Sequence, residues 1–258
     1  LKLETETGFG RIQSVTSHNS WKLDPNSIDL NYADSGLAFT SGILKAVGNP
    51  INSTSTIKED HDIWSEELSL YSDNHEGFDW SVSLFANVSE ITGNAERHYP
   101  MPTVAQTDPT YFNLGVMLPA SSITNYVTEA DTYAISTSFI KDLNENLSLQ
   151  LGLRFDHASK DLKRSKDNSL FADPADISIS EDYSWLSPSI EIRKDINENF
   201  STFLNSSLSK KPGGFSPYVD TAALIAAGVV SIGFDEEEIW ANEIGISYNN
   251  HQSNSGFS

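Results

Sequence analysis

The sequence predicts an all-β protein: an antiparallel, up-and-down β-barrel that spans a membrane, present here as an incomplete set of strands. Long alternating stretches, a pair of near-identical tight turns and long polar connections between hairpins carry this expectation. The clearest stretch is Leu147-Ser148-Leu149-Gln150-Leu151-Gly152-Leu153-Arg154-Phe155-Asp156, in which every odd residue is apolar and every even one is polar or Gly. A period of 2 sustained this long means a strand with one dry and one wet face. The turns are Lys141-Asp142-Leu143-Asn144-Glu145-Asn146-Leu147-Ser148 and Lys194-Asp195-Ile196-Asn197-Glu198-Asn199-Phe200-Ser201. Their Asn and Asp residues tolerate left-handed backbone and bond their own main chain, as tight turns require.

Taken in order, the first strand runs about Phe9 to Leu23 with poor alternation. Trp64, Glu66, Leu68 and Leu70 then alternate with Ser65, Glu67, Ser69 and Tyr71, and Ser72 to Gly77 forms a turn. Phe78, Trp80, Val82, Leu84, Ala86 and Val88 follow on one face, with Phe85 intruding on the polar one. Tyr133-Ile135-Thr137-Phe139 leads into the first repeated turn, and Leu186-Pro188-Ile190-Ile192 into the second. The strand from Phe200 to Lys210 alternates less cleanly, and a last one sets Trp240, Ile244, Ile246 and Tyr248 opposite Glu243, Gly245 and Ser247.

Short turns therefore centre near residues 8, 75, 144, 197 and 252, whereas the stretches 24–60, 93–129, 159–182 and 212–236 read as long polar connections. Connections of that length are uncommon in compact domains. Short turns at one rim and long loops at the other are the habit of bacterial outer-membrane barrels. Trp64, Trp80, Trp185, Trp240, Tyr133 and Tyr248 lie near strand ends, where interfacial aromatic girdles sit. A soluble sandwich also has alternating strands, but its turns recur every ~8–12 residues.

Composition narrows the function. Lys+Arg 16 against Asp+Glu 36 gives a net charge of −20. That disfavours nucleic acid, which needs a basic footprint, and a polybasic membrane-surface module. Cys is absent, so neither disulfides nor thiolate metal sites hold the fold. No apolar run approaches the ~18 residues of a membrane helix, so any spanning falls to strands. The chain opens on Leu1 with no signal peptide and stops at Gly256-Phe257-Ser258 as alternation resumes, which predicts an internal segment of a longer protein.

The order of segments resembles the barrel of TonB-dependent outer-membrane receptors. The resemblance rests on Trp64-Ser65-Glu66-Glu67-Leu68-Ser69-Leu70 followed by Phe78 to Phe85, then on the Thr132-Tyr133-Ala134 start and the Leu147 to His157 strand. It continues through Ser187-Pro188-Ser189-Ile190, Lys210-Lys211-Pro212-Gly213-Gly214-Phe215 and Asn242-Glu243-Ile244-Gly245-Ile246. It covers nearly the whole chain and implies a barrel of about 22 strands closed by a plug, of which this chain supplies about eight to ten. The plug, the energy-coupling box and the C-terminal strands of that family are absent from residues 1–258. The implied partners are outer-membrane lipid, the chain's own plug, the inner-membrane TonB complex and a scarce ligand, most often a ferric siderophore. The implied location is the outer membrane of a Gram-negative bacterium. A substrate-specific porin without a plug, or a secreted β-rich adhesin or carbohydrate-binding module, are the alternatives.

No catalytic constellation, cofactor motif or metal-ligand spacing is present. His18, His61, His75, His98, His157 and His251 are scattered. Glu66 and Glu67 are consecutive on a strand and face opposite ways. Lys211-Pro212-Gly213-Gly214 lacks phosphate-loop spacing and suits the point where a strand leaves the barrel. Asp235-Glu236-Glu237-Glu238 is a solvated face that could share divalent cations with anionic lipid at the outer rim. Arg154, Glu191, Arg193 and Glu243, the charged members of alternating strands, are expected to face the lumen. Tyr99, Tyr111, Phe112 and Tyr126 give the long connections aromatic content and are the candidate ligand contacts. Glu66, on the apolar face of its strand, fits lipid exposure least.

Overall fold

The computed structural model describes residues 1–31, 52–73, 77–102, 117–168, 176–217 and 231–248. Its strands are β1 (Lys2–Thr7), β2 (Gly10–Asn31), β3 (Asn52–Ser72), β4 (Phe78–Pro102), β5 (Met117–Asn144), β6 (Leu147–Asn168), β7 (Ile177–Asp195), β8 (Phe200–Lys211), β9 (Gly214–Phe215), β10 (Gly233–Phe234) and β11 (Glu237–Tyr248). Nine of them form one antiparallel sheet in the order β1-β2-β3-β4-β5-β6-β7-β8-β11, so every neighbour in sequence is a neighbour in space until the β9–β10 hairpin intervenes. No helix occurs among the described residues. Among them, β1 and β11 do not pair, and the sheet is open.

The two near-copied turns close their hairpins in the same way. The Asn144 side-chain oxygen accepts from the Asn146 N–H at 3.0 Å, and the Asn197 oxygen accepts from Asn199 and Phe200 at 2.9 and 3.0 Å. An Asn carbonyl thus satisfies amides that a tight turn would leave orphaned. The four tight connections, after β1, β3, β5 and β7, share one rim of the sheet, and the long ones share the other. The expected turn near residue 252 lies outside the described residues.

Strand length departs from expectation. The described residues of the stretches 24–60, 93–129 and 159–182 are almost all strand, with β4 reaching 25 residues and β5 28. The sequence hides this because both faces turn polar beyond Trp64, Val88 and Tyr133, and period-2 alternation vanishes where neither side of a strand meets an apolar medium. The described residues 212–217 and 231–236 stay outside the main sheet, as the Lys-Pro-Gly-Gly run implies.

Candidate functional site

Register sorts the side chains into two faces. Leu68, Leu84, Ile135, Phe155 and Leu186 stand directly opposite one another across β3 to β7. Each is between 45% and 51% exposed. The row below holds Leu70, Val82, Thr137, Leu153 and Pro188, and the next Trp80, Phe139, Leu151 and Ile190. A contiguous apolar sheet face this wide is far larger than the few hundred Å² a soluble monomer leaves open. From Leu147 to Phe155 the band matches the ~9–11 residues with which a tilted strand crosses a bilayer.

Aromatic side chains edge the band. Trp64 stacks on His18 at 4.2 Å between centroids on the long-connection side, where Tyr133 also stands. Phe78 stacks with Phe139 at 6.1 Å, and Phe200 meets Tyr248 at 4.7 Å with the rings tilted, on the tight-turn side. Trp185 does not join them. It pairs in register with Asp156 and points to the opposite face, because its odd position shares parity with Glu191 rather than with Leu186. Glu66 sits within the band, between Trp64 and Leu68, and not at a rim. Its carboxylate accepts a hydrogen bond from Ser14 at 2.7 Å and a second from the Thr16 hydroxyl.

Just beyond the band, the same face carries carboxylates: Asp62, Glu90, Glu129 and Asp161 are direct cross-strand neighbours on β3 to β6. His18 at 3.0 Å from Asp62 and Lys163 at 3.1 Å from Glu129 offset part of the charge. Of the acidic run near β11, Glu236 and Glu238 meet Lys210 at 2.8 and 3.5 Å, and Glu237 meets Lys211 at 3.7 Å.

The other face is polar. Arg154 lies on it, clasping Asp156 at 2.7 Å with its guanidinium over the Phe85 ring, 5.4 Å from the centroid. That contact accounts for the intruding Phe85. Glu191 accepts from Arg193 and from Asn205, both at 3.3 Å, and Glu243 is aligned with Asn205 from β11. All four charged candidates therefore share the polar face.

The aromatic candidates divide. Tyr126 is no loop residue: it lies within β5, is 4% exposed and faces the polar side. Its ring covers Gly93 on β4, and its hydroxyl donates to Glu59, whose other oxygen lies 2.9 Å from the His61 ring nitrogen. His61 stacks in turn on Trp21 at 3.6 Å. Neither Trp21, Glu59 nor His61 stood out in the sequence, since each lies in a stretch without apolar alternation. Tyr99 belongs to β4 rather than to a loop, while Tyr111 and Phe112 lie outside the described residues. The described residues contain no group of three or more His, Asp or Glu side chains arranged to hold a metal ion.

With this geometry in place, the comparisons are specific. The family described as "TonB dependent receptor-like, beta-barrel" matches residues 4–258. The ferric yersiniabactin uptake receptor FyuA of Yersinia pestis superposes with a TM-score of 0.66 at 15% identity, over 96% of this chain and 32% of its own. The siderophore receptor PiuA of Acinetobacter baumannii gives 0.59 at 13% identity, over 96% and 36%. The chain thus spans about a third of the length of these solved structures. At such identities the likeness is one of fold. No curated protein matches the chain by sequence.

Proposed function

Because the chain belongs to the TonB-dependent receptors, within their β-barrel, we propose that it forms part of the wall of an outer-membrane transporter. Such a protein moves cargo and is not an enzyme. The reading rests on the rows of half-exposed apolar side chains that cross β3 to β7 at one height, which need lipid as their solvent. The opposite face, with Arg154, Glu191, Arg193 and Glu243, then lines the lumen and contacts a plug. The open edges at β1 and β11 call for further strands, since unpaired main-chain groups cannot face hydrocarbon.

The cargo we assign is a ferric siderophore, taken from the outside by the long connections and moved with energy from the inner-membrane TonB complex. Of the two solved relatives above, one is a ferric yersiniabactin uptake receptor and the other a siderophore receptor, which favours that class over cobalamin or a saccharide. Two measurements test the reading in the full-length receptor within a Gram-negative outer membrane. Cysteines placed singly from Leu147 to Asp156 should react from lipid at odd positions and from water at even ones. Cells relying on this receptor should grow on ferric siderophores only while TonB is present. Uniform water access along that strand would make this a soluble β-domain, and TonB-independent uptake would make it a porin.

A further inference from the structure

Glu66 stands inside the apolar band, and the surface beside it is hollow. Ala86 lies opposite Glu66 in the sheet, and Tyr133 and then His157 continue the same row on β5 and β6. Ala86 offers only a methyl where its neighbours on this face, Leu84, Val88 and Tyr133, are large. The band therefore dips there into an open groove of about 390 Å³, within the ~300–1,000 Å³ of ligand pockets. Leu68, Leu84, Ile135 and Phe155 wall it with carbon, and the polar groups stand at its rim. On one side the Glu66 carboxylate accepts from Ser14 at 2.7 Å and from Thr16. An ionised carboxylate has about four acceptor sites, so it can take further donors. On the other side His157 meets Ser184 through Nδ1 at 2.9 Å, which leaves Nε2 open, and the Tyr133 hydroxyl has no partner among the described residues. Toward the long connections the same face stays acidic, with Asp131 beside Val88 and then Asp62, Glu90 and Glu129.

We propose that this groove is a site for a lipid with a phosphoethanolamine head. One acyl chain fills the dip at Ala86, the ammonium donates to Glu66, and the phosphate oxygens accept from Tyr133 and His157. The His157 proton then sits on Nε2, and the Ser184 hydroxyl donates to Nδ1. Each part of the head meets its complement. A carboxylate bordering hydrocarbon is costly to leave short of donors, and a bond between ammonium and carboxylate is among the stronger ones available. An anionic head would face Glu66, Asp131 and the acids beyond them, whereas a zwitterion turns its positive end that way. The hydroxyl and the ring nitrogen across the groove suit its negative end. Glu66, which packing alone disfavours here, then has a ligand to hold. The inference rests on the wall reading for lipid on this side of the sheet.

The test uses the full-length receptor purified in detergent, to which phosphatidylethanolamine, phosphatidylcholine and phosphatidylglycerol of one chain composition are added in turn. Native mass spectrometry reads the affinity of the first lipid retained. Phosphatidylethanolamine should bind about tenfold tighter than phosphatidylcholine, the scale of one hydrogen bond to a charged group, since choline has no N–H to give. Phosphatidylglycerol should trail as well. Glu66→Gln should bring the ethanolamine and choline lipids level. Ala86→Leu, which fills the groove with an apolar side chain, should weaken the ethanolamine lipid to the level of the other two. Equal affinity for the three lipids, or a preference untouched by both variants, would overturn the site and leave a general lipid coat. The comparison of lipids on the unchanged protein decides the matter even where a variant fails to fold. Leu84→Cys in the full-length receptor, probed in outer-membrane vesicles with lipid-soluble and water-soluble thiol reagents, separates this inference from the reading beneath it. A cysteine reached from lipid, with no ethanolamine preference, sinks the inference and leaves the wall intact. One reached only from water removes the wall and the site with it.

Discussion

Gly93 shows how a missing side chain is used in this sheet. A Cβ added there would lie 1.9 Å from Cζ of Tyr126, inside the volume of the ring. Gly245 bears the same relation to Phe203, at 2.3 Å from Cε1. In each pair a ring on one strand fills the space over a glycine on the next, which recovers packing that the glycine alone would forfeit. Gly93→Ala should thus cost about 1–3 kcal/mol, the usual range for overpacking, because the ring must leave and its bond to Glu59 goes with it. With Tyr126→Ala already in place, the same substitution should cost little. Urea midpoints of the four proteins in this double-mutant cycle measure the coupling, and strictly additive effects would refute the packing account. Glu66 makes a second residue-scale case. A carboxylate in an apolar band carries a desolvation cost in lipid, against which Ser14 and Thr16 each donate a hydrogen bond. Glu66→Leu should raise stability, provided lipid lies outside; in a soluble protein it would instead lower solubility. Comparing its urea midpoint with that of the unchanged receptor decides which holds.

At the scale of the strand, β6 contains two different surfaces in series. From Leu147 to Phe155 it alternates between an apolar and a polar side, and this half was plain in the sequence, together with the turn before it. From His157 to Asn168 its outer face is polar as well, and that half could pass for a loop. The difference is physical: alternation records a boundary between lipid and water, so a strand wetted on both faces writes no pattern, and only the pairing of main chains reveals it. The same cause displaced Tyr126 and Tyr99 from their expected places, whereas Trp185 was displaced by its parity alone. Leu151→Arg should cost about 2–4 kcal/mol if Leu151 lies near mid-bilayer, whereas Gln150→Arg on the polar side should be close to neutral. Heat-modified gel mobility and urea unfolding of both variants would show the contrast, and equal costs would deny the band its lipid. Above the band, Glu90 stands directly between Asp62 and Glu129, and like charges in direct opposition repel. Glu90→Gln should stabilise by roughly 0.2–1 kcal/mol at low salt and by less at high salt, when the same urea assay is run at both.

For the whole molecule, the open edges decide what the chain can do alone. Each interior strand bonds on both sides, but β1 and β11 present one unpaired side each among the described residues. On β11, Trp240, Ile244 and Ile246 are 73–78% exposed, against 40–51% for apolar residues in mid-sheet such as Ile192 and Leu84. An edge that is both apolar and unpaired is a template for another strand. Within a complete barrel that strand is the next one of the same wall, and closure satisfies both edges at once. Without it, the available partner is a second copy of the chain, edge to edge. Residues 1–258 refolded alone into detergent should therefore run as a series of oligomers by size exclusion with light scattering, with a far-ultraviolet spectrum rich in β-structure. Lys or Pro introduced on the outer side of β11 should shift that distribution toward smaller species, since both blunt strand addition. A stable monomer of native β content would mean that the edges are covered from within the chain, and the case for further wall strands would fall.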